Sequence, residues 1–465
     1  VRARLLRTIL KLDKTLPTEI QSHLEAARRS RGVDLTQEPL EGLRKRLLDL
    51  MVESQQFGPH SMLANTSSGL WHDGLEKLLA KVAPAEAQAL ASDLVSGSGN
   101  VVSAEHGYHL LDLAAAAAGD ADARALLDTK PLDVSAWRRL PASSPFRAEL
   151  ERFLADFGHR AVYEVEIANP RWIEDPTYVL QQVRLLLQAG VQTDFRDAGR
   201  QRRREAERTV ARRAWILLPL IRWLARRARH GGALREGSKS ALVSFLEPCR
   251  YVILEVGQRM QATDILDDRD DVFYLTPADL NAFTRGWWDG TGAKALIHDR
   301  KAQRVAWLSK SPPDVIMESG DGSSQPSRGS APAPSIAPAP AQTEAGGHPG
   351  PGRGTQEASA QALRGTGVAA GTATGRVRIL RHPSEGDRLG AGEILVAPST
   401  GPGWTPLFMR AAAVVMEVGG YHSHGAIVAR EFGIPAVANI PNLLATLRDC
   451  ETITVDGDTG RIHRL

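Results

Sequence analysis

Gly419-Gly420-Tyr421-His422-Ser423-His424-Gly425-Ala426-Ile427-Val428-Ala429-Arg430-Glu431-Phe432-Gly433-Ile434-Pro435 is the stretch from which the C-terminal fold reads outward. An apolar run, Ala412 to Val418, precedes it and reads as a buried strand. Two glycines then let the backbone turn sharply, and Ser423 is a fitting N-cap for a helix that Gly433 and Pro435 stop. His424 therefore falls at the positive end of a short helix.

Such a position suits a histidine that attacks and then carries a phosphoryl group. The helix N-terminus favours the neutral, nucleophilic imidazole, and its free N–H groups can hold the anion formed afterwards. Ser423, with Thr400 and Thr405 from a neighbouring Gly-Pro-rich loop, are candidate phosphate-binding donors. The assignment needs a ring with room for a tetrahedral guest, not one locked to a carboxylate. His422 and His424 form an H-x-H pair with no third ligand in their own segment, so His422 reads as a loop histidine and no metal site is expected.

Around this stretch the texture is Gly-punctuated β structure with short helices. Gly375 to Leu380, Glu393 to Pro398, Ala436 to Asn439 and Thr452 to Val455 read as further strands, the last ending in the turn signature Asp456-Gly457-Asp458-Thr459-Gly460. Upstream, Ser311 to Gly354 holds 17 Gly and Pro among 44 residues, so 311–360 is a linker, expected to tether two independently folded bodies. Residues 1–310 are mostly helical by pattern: Ile20 to Ala27, Leu43 to Val52, Leu75 to Val82, Ala85 to Leu94, Leu110 to Leu127 and Glu149 to Phe157 space apolar residues by three and four. Ala161 to Ile167 is the one good strand candidate there. The fold class is thus multidomain, with a mainly α-helical N-terminal domain (1–310) followed by a β/α domain (361–465).

With 57 basic and 54 acidic residues in 465, the chain carries no general polyanion-binding charge, and nucleic acid is not an expected partner. The Arg-rich stretch Asp197 to Arg229 interleaves acids and reads as a solvated helix face, with Trp215 and Trp223 on its apolar side. Cys249 and Cys450 are far apart and in no metal-ligand motif, which fits a reducing cytoplasm. No run is long and apolar enough to span a membrane. The chain begins at Val1, in what reads as the interior of an amphipathic helix rather than a signal peptide, so an alternative start or further upstream sequence is expected.

The run GGYHSHGAIVAREFGIPAV, with LRGTGVAAGTATGRVRIL and ILVAPSTGPGWTPLF upstream and ITVDGDTGRI downstream, resembles the mobile phosphohistidine domain of phosphoenolpyruvate-utilising enzymes. FGHRAVYEVEIANPRWIEDP, ARHGGALREGSKSALVSFLEPCRYVILEVGQRM and DDVFYLTPADL resemble the substrate-binding domain of rifampin phosphotransferases and related phosphoenolpyruvate synthase-like proteins. Ala161-Val162-Tyr163 stands where the family more often has small residues such as Gly-Pro-Gly, and Asn439 and Cys450 stand where it usually has Gly.

The resemblance implies that His424 is the phosphorylated residue and that the β/α domain swivels between sites. It implies acceptor-side candidates His159, Arg160, Glu164, Arg171, Arg235, Glu236 and Lys239, arginines clamping phosphate and a His or Glu taking the acceptor proton. Nothing ahead of the helical region resembles an ATP-grasp module, so ATP and Mg2+ are implied through such a module as partner, with a small-molecule phosphoryl acceptor. The phosphotransferase component has two rivals: a non-catalytic remnant used for binding or regulation, and a segment of a longer phosphotransferase.

Overall fold

The computed structural model describes residues 2–97, 102–190, 195–310 and 363–465. The 311–360 linker lies outside the described residues. Helices run in the order α1 (Arg2–Arg31), α2 (Leu40–Gln56), α3 (Gly58–Val82), α4 (Ala87–Val95), α5 (Val102–Gly119), α6 (Ala121–Leu127), α7 (Pro145–Phe157), α8 (Thr177–Ala189), α9 (Phe195–Ala214), α10 (Leu218–Ser244), α11 (Leu246–Ala262), α12 (Pro277–Thr284) and α13 (Ala293–Leu308). Among the described residues no helix is long and apolar enough to cross a membrane.

Local chemistry explains several boundaries. The apolar run Leu110 to Leu127 divides into α5 and α6 because Asp120 caps the second, its Oδ1 accepting from the Ala123 N–H at 3.1 Å. Ser144 caps α7 in the same way, with Pro145 in the first turn. The Arg-rich stretch breaks after Ala214, and the turn before Pro219 throws Trp215 outward, so that this ring is exposed rather than packed on an apolar side. Trp223 is half-exposed and meets Trp71 edge-on, centroids 5.3 Å apart.

Residues 161–167 form turns, not the expected strand. Their carbonyls are claimed by side chains: Arg171 Nη1 donates to Glu164 O at 2.7 Å and Asn169 Nδ2 to Val162 O at 2.8 Å. Tyr163 adopts a left-handed φ of 55°, which breaks an extended run. Asn439 (φ 61°) and Cys450 (φ 68°) are left-handed too. All three occupy positions where the resemblance sets glycine or small residues, and the backbone conformation is the reason.

The β/α domain is an eight-stranded sheet: β1 (Leu363–Arg364), β2 (Thr366–Ala369), β3 (Thr372–Ile379), β4 (Ile394–Ala397), β5 (Ala413–Met416), β6 (Ala436–Ala438), β7 (Thr452–Asp456) and β8 (Arg461–Arg464). The order is β1-β8-β7-β3-β4-β5-β6-β2, with β3, β4, β5 and β6 mutually parallel. Edge strands β1 and β2 are separated by Gly365 alone, so the sheet curls back on itself. Successive residues of β4 feed opposite faces, Ile394 and Val396 into one apolar cluster and Leu395 and Ala397 into another. Helices α14 (Thr405–Phe408), α15 (His424–Phe432) and α16 (Leu443–Thr446) complete the domain.

The second of those clusters does not stop at the domain. It continues through Trp404, Phe408 and Phe432 into Tyr108, Phe153, Trp172 and Phe195 of the helical part. Helices α1 to α12 and the β/α domain accordingly form one compact unit, and Lys294–Ser359 a second. Shared apolar burial joins the helical part and the β/α domain in this arrangement.

Within the helical part α3 and α10 approach closely. A Cβ on Gly231 would lie 3.0 Å from Ser68 Cα, so only small residues fit at this crossing. The approach sets His72 of α3 and Glu236 of α10 beneath the loop that carries His424.

Candidate functional site

His424 is the first residue of α15, which Ser423 caps: its Oγ accepts from the Ala426 N–H at 3.4 Å, leaving that hydroxyl engaged with the helix end. Gly433, at φ 67°, closes the helix. The absence of a side chain at Gly425 lets Thr400 approach, because a Cβ there would overlap Thr400 Oγ1. That hydroxyl itself donates to Met416 Sδ at 3.1 Å.

The imidazole is 7% exposed, and both nitrogens are engaged. Nδ1 lies 3.2 Å from Glu236 Oε2 and Nε2 lies 3.3 Å from Thr405 Oγ1. In this arrangement the ring is held to a carboxylate rather than standing open to a tetrahedral guest. Burial lowers its pKa from the ordinary histidine value and Lys239 adds to that, against the hydrogen bond and charge of Glu236 and the charge of Glu164. The neutral ring is the nucleophilic form.

Glu236, 1% exposed, is paired on its other oxygen with Arg235. Lys239, one helical turn on, reaches Glu164 Oε1 at 3.1 Å, and Arg160 reaches Glu164 Oε2 at 3.3 Å and Ser240 Oγ at 3.2 Å. Arg160, Glu164 and Lys239 thus form one ion-paired set and Arg235 with Glu236 a second that ends on the imidazole, while the charges of Lys239 and Glu164 also act on the ring. Their buried members are paired, as burial of charge demands.

His159 and Arg171 stand apart from both. Arg171 spends its guanidinium on the carbonyls of Glu164 and Glu166, and His159 is buried with Nε2 unpartnered. Burial, then Arg160, Arg31, Arg28 and Arg171, holds the His159 pKa well below the usual value. Among the described residues no hydrogen bond or ion pair links either of these two to His424.

Sequence reading missed two neighbours of the motif. His72 and Asp73 of α3 come up beside His422, with one ligand-type atom from each of the three residues within 4.8 Å of the others. A lone His-Asp pair in a helical run carries no signal that it faces a loop 350 residues away.

Comparison with known proteins follows this geometry. Residues 60–236 match the rifampicin phosphotransferase fourth domain, and residues 389–460 match the mobile domain of PEP-utilising enzymes. The rifampicin phosphotransferase of Streptomyces sviceus is 29% identical over 420 residues, covering 87% of this chain and 44% of its own. The prodigiosin synthesizing transferase PigC of Serratia marcescens is 30% identical over 69% of this chain and 34% of its own. For the rifampicin phosphotransferase of Bacillus subtilis the figures are 25%, 70% and 35%. The chain spans less than half the length of these curated relatives. With a rifampicin phosphotransferase fourth domain and a PEP-utilising mobile domain matched along one polypeptide, the chain is similar to phosphoenolpyruvate-utilising enzymes in both of its parts.

Proposed function

We propose that this chain carries a phosphoryl group on His424 and passes it to the oxygen of a hydroxyl or enol acceptor at the helical body. One observation carries the proposal: the imidazole sits at a helix N-terminus with Nδ1 on the Glu236 carboxylate and Nε2 facing the Thr405 hydroxyl. A carboxylate on Nδ1 keeps the ring proton there, so Nε2 holds the lone pair. In transfer the P–N bond at Nε2 breaks, a P–O bond to the acceptor forms, and the electron pair returns to the ring. The acceptor proton passes to a carboxylate of the helical body; Glu236 is engaged on Nδ1, and Glu164, held by Arg160 and Lys239, is the candidate that the ring does not occupy. Lys239, Arg235 and Arg160 offset the charge on the transferring oxygens.

Loading belongs to a different arrangement, because the ring is buried here. The β/α domain would leave the helical body and meet ATP and Mg2+ at an ATP-grasp module, on the same longer polypeptide or on a partner, in the cytoplasm. The names of the relatives support a rifamycin-like acceptor. A pyruvate-like acceptor is the alternative within the same chemistry.

Incubation with an ATP-grasp module and Mg-ATP is expected to leave acid-labile, base-stable phosphate on His424, and His424→Ala is expected to carry none. Label that persists in the variant overturns the assignment. One observation favours a non-catalytic reading, in which the docked pair serves binding or regulation: both ring nitrogens are already engaged. Under that reading wild-type protein also remains unlabelled.

A further inference from the structure

His422, two residues before the nucleophile and outside its hydrogen bonds, faces a second group of donors. His72 and Asp73 of α3 and His422 of the loop each bring a ligand-type atom within 4.8 Å of the others. The two imidazole planes stand at 86° with centroids 5.4 Å apart, so both lone-pair edges can converge without stacking. His72 is 5% exposed, and its Nε2 is buried with no hydrogen-bond partner. An orphaned ring nitrogen is costly to bury unless something occupies it.

A cavity of about 40 Å³ opens beside these rings, lined by His72, His422, Ser68, Gly232, Arg229 and Arg430. That is room for an ion and a water. We propose that His72, Asp73 and His422 form a transition-metal site of the Zn2+ class, with water in the fourth position, tying α3 of the helical body to the loop that bears His424. Two imidazoles and one carboxylate are a ligand set for Zn2+ or Co2+ and not for hard cations.

The surroundings sharpen the choice. Arg229 and Arg430 line the cavity together with the Glu431 carboxylate, which offsets part of their charge, so the choice of ion rests on the imidazole nitrogens, which hard cations such as Mg2+ and Ca2+ do not favour. The Arg430 guanidinium is itself occupied by the carbonyls of Val368 at 3.0 Å and Tyr421 at 2.8 Å, so it does not compete for Asp73. Glu76 Oε2 stands 4.0 Å from His72 Nδ1 and can orient that ring from behind.

Because the ligands come from both the helical body and the β/α domain, the ion binds the docked arrangement alone and stabilises it. This site does not depend on phosphoryl transfer; a chain that never carries phosphate would still bind the metal.

The test uses the full chain, free of any histidine tag and stripped with chelator, titrated with Zn2+ by calorimetry and with Co2+ by visible absorption. One equivalent is expected, with ligand-field bands of a tetrahedral site and no competition from excess Mg2+. His422→Ala and Asp73→Asn should each weaken binding by about tenfold or more. Asp73 is exposed, so its variant leaves the core untouched. His424→Gln, checked for unchanged circular dichroism, should bind as wild type does. Absence of stoichiometric binding overturns the site, as does full affinity in both His422→Ala and Asp73→Asn, or loss confined to His424→Gln, which would put the ion on the nucleophile.

Discussion

The β/α domain meets the helical body along two seams of opposite chemistry, and one nine-residue helix, α15, belongs to both. At its first residue, His424 meets Glu236 across a charged network; at its last, Phe432 packs against Tyr108 and Phe195, ring centroids 5.4 and 5.3 Å away. Buried ion pairs repay little more than their own desolvation, whereas apolar burial is the dominant favourable term. The end proposed to perform chemistry is therefore not the end that holds the domain in place. Departure of the domain, which the proposed loading of His424 requires, is opposed mainly by the Phe432 seam.

Phe432→Ala should accordingly have the largest effect. Truncating a fully buried phenylalanine costs about 3–5 kcal/mol. Urea unfolding measures it, and a loss below about 1 kcal/mol would mean that the polar seam carries the docking after all. Next comes acid. His159 is buried neutral, so its folded pKa lies below the unfolded value of about 6.5. Stability is then full above pH 6.5 and falls as pH drops below it, because the unfolded chain takes up a proton that the folded chain refuses. The loss approaches about 1.4 kcal/mol per pH unit for the one proton that only the unfolded chain binds, and ends where the folded pKa is reached. His159→Gln should remove one proton from that slope, and an unchanged slope would show that His159 is not the group responsible.

A glycine tests the apolar seam from the other side. Gly107 of α5 has no room for a methyl group: a Cβ would lie 2.8 Å from Phe432 Cζ and 3.0 Å from Thr405 Cγ2. Gly119, in the same helix, has no heavy atom within 4 Å of that position. Overpacking at Gly107→Ala costs about 1–3 kcal/mol, less the ~1 kcal/mol that alanine returns in a helix. Gly119→Ala collects only the second term. Equal thermal midpoints for the two variants would mean that α5 and α15 do not press together in solution.

What could be read beforehand follows the same division. The strands, the Gly-Gly turn, the Ser423 cap and the place of His424 are written in short-range signals, where apolar alternation and capping residues act within a few positions. Arg235, Glu236 and Lys239 were visible as a charged set, yet their partner lies 188 residues away from Glu236, and no local pattern encodes that distance. His72 and Asp73 were invisible for this reason. Ala161 to Ile167 misled because its apolar alternation is real, while Arg171 and Asn169 take its carbonyls and Tyr163 turns the chain. The joining of the two bodies was equally hidden: apolar residues of α5 announce that they are buried, not against what.

Thr405→Val is the smallest expected change and separates the seams most finely. The hydroxyl is buried, 3.3 Å from His424 Nε2, and valine fills the same volume without it. Loss of one such hydrogen bond costs about 0.5–1.5 kcal/mol. Both partners belong to the β/α domain, so this variant should lower stability without loosening its contact with α10, unlike Phe432→Ala. Glu236 still receives Nδ1–H, so nitrogen-15 spectra of the ring should show the same tautomer in variant and wild type, with Nε2 bare. A proton found on Nε2 in the variant would mean that Thr405, rather than Glu236, sets the tautomer, and the lone pair that the proposed phosphoryl transfer uses would then depend on a hydroxyl that travels with the domain.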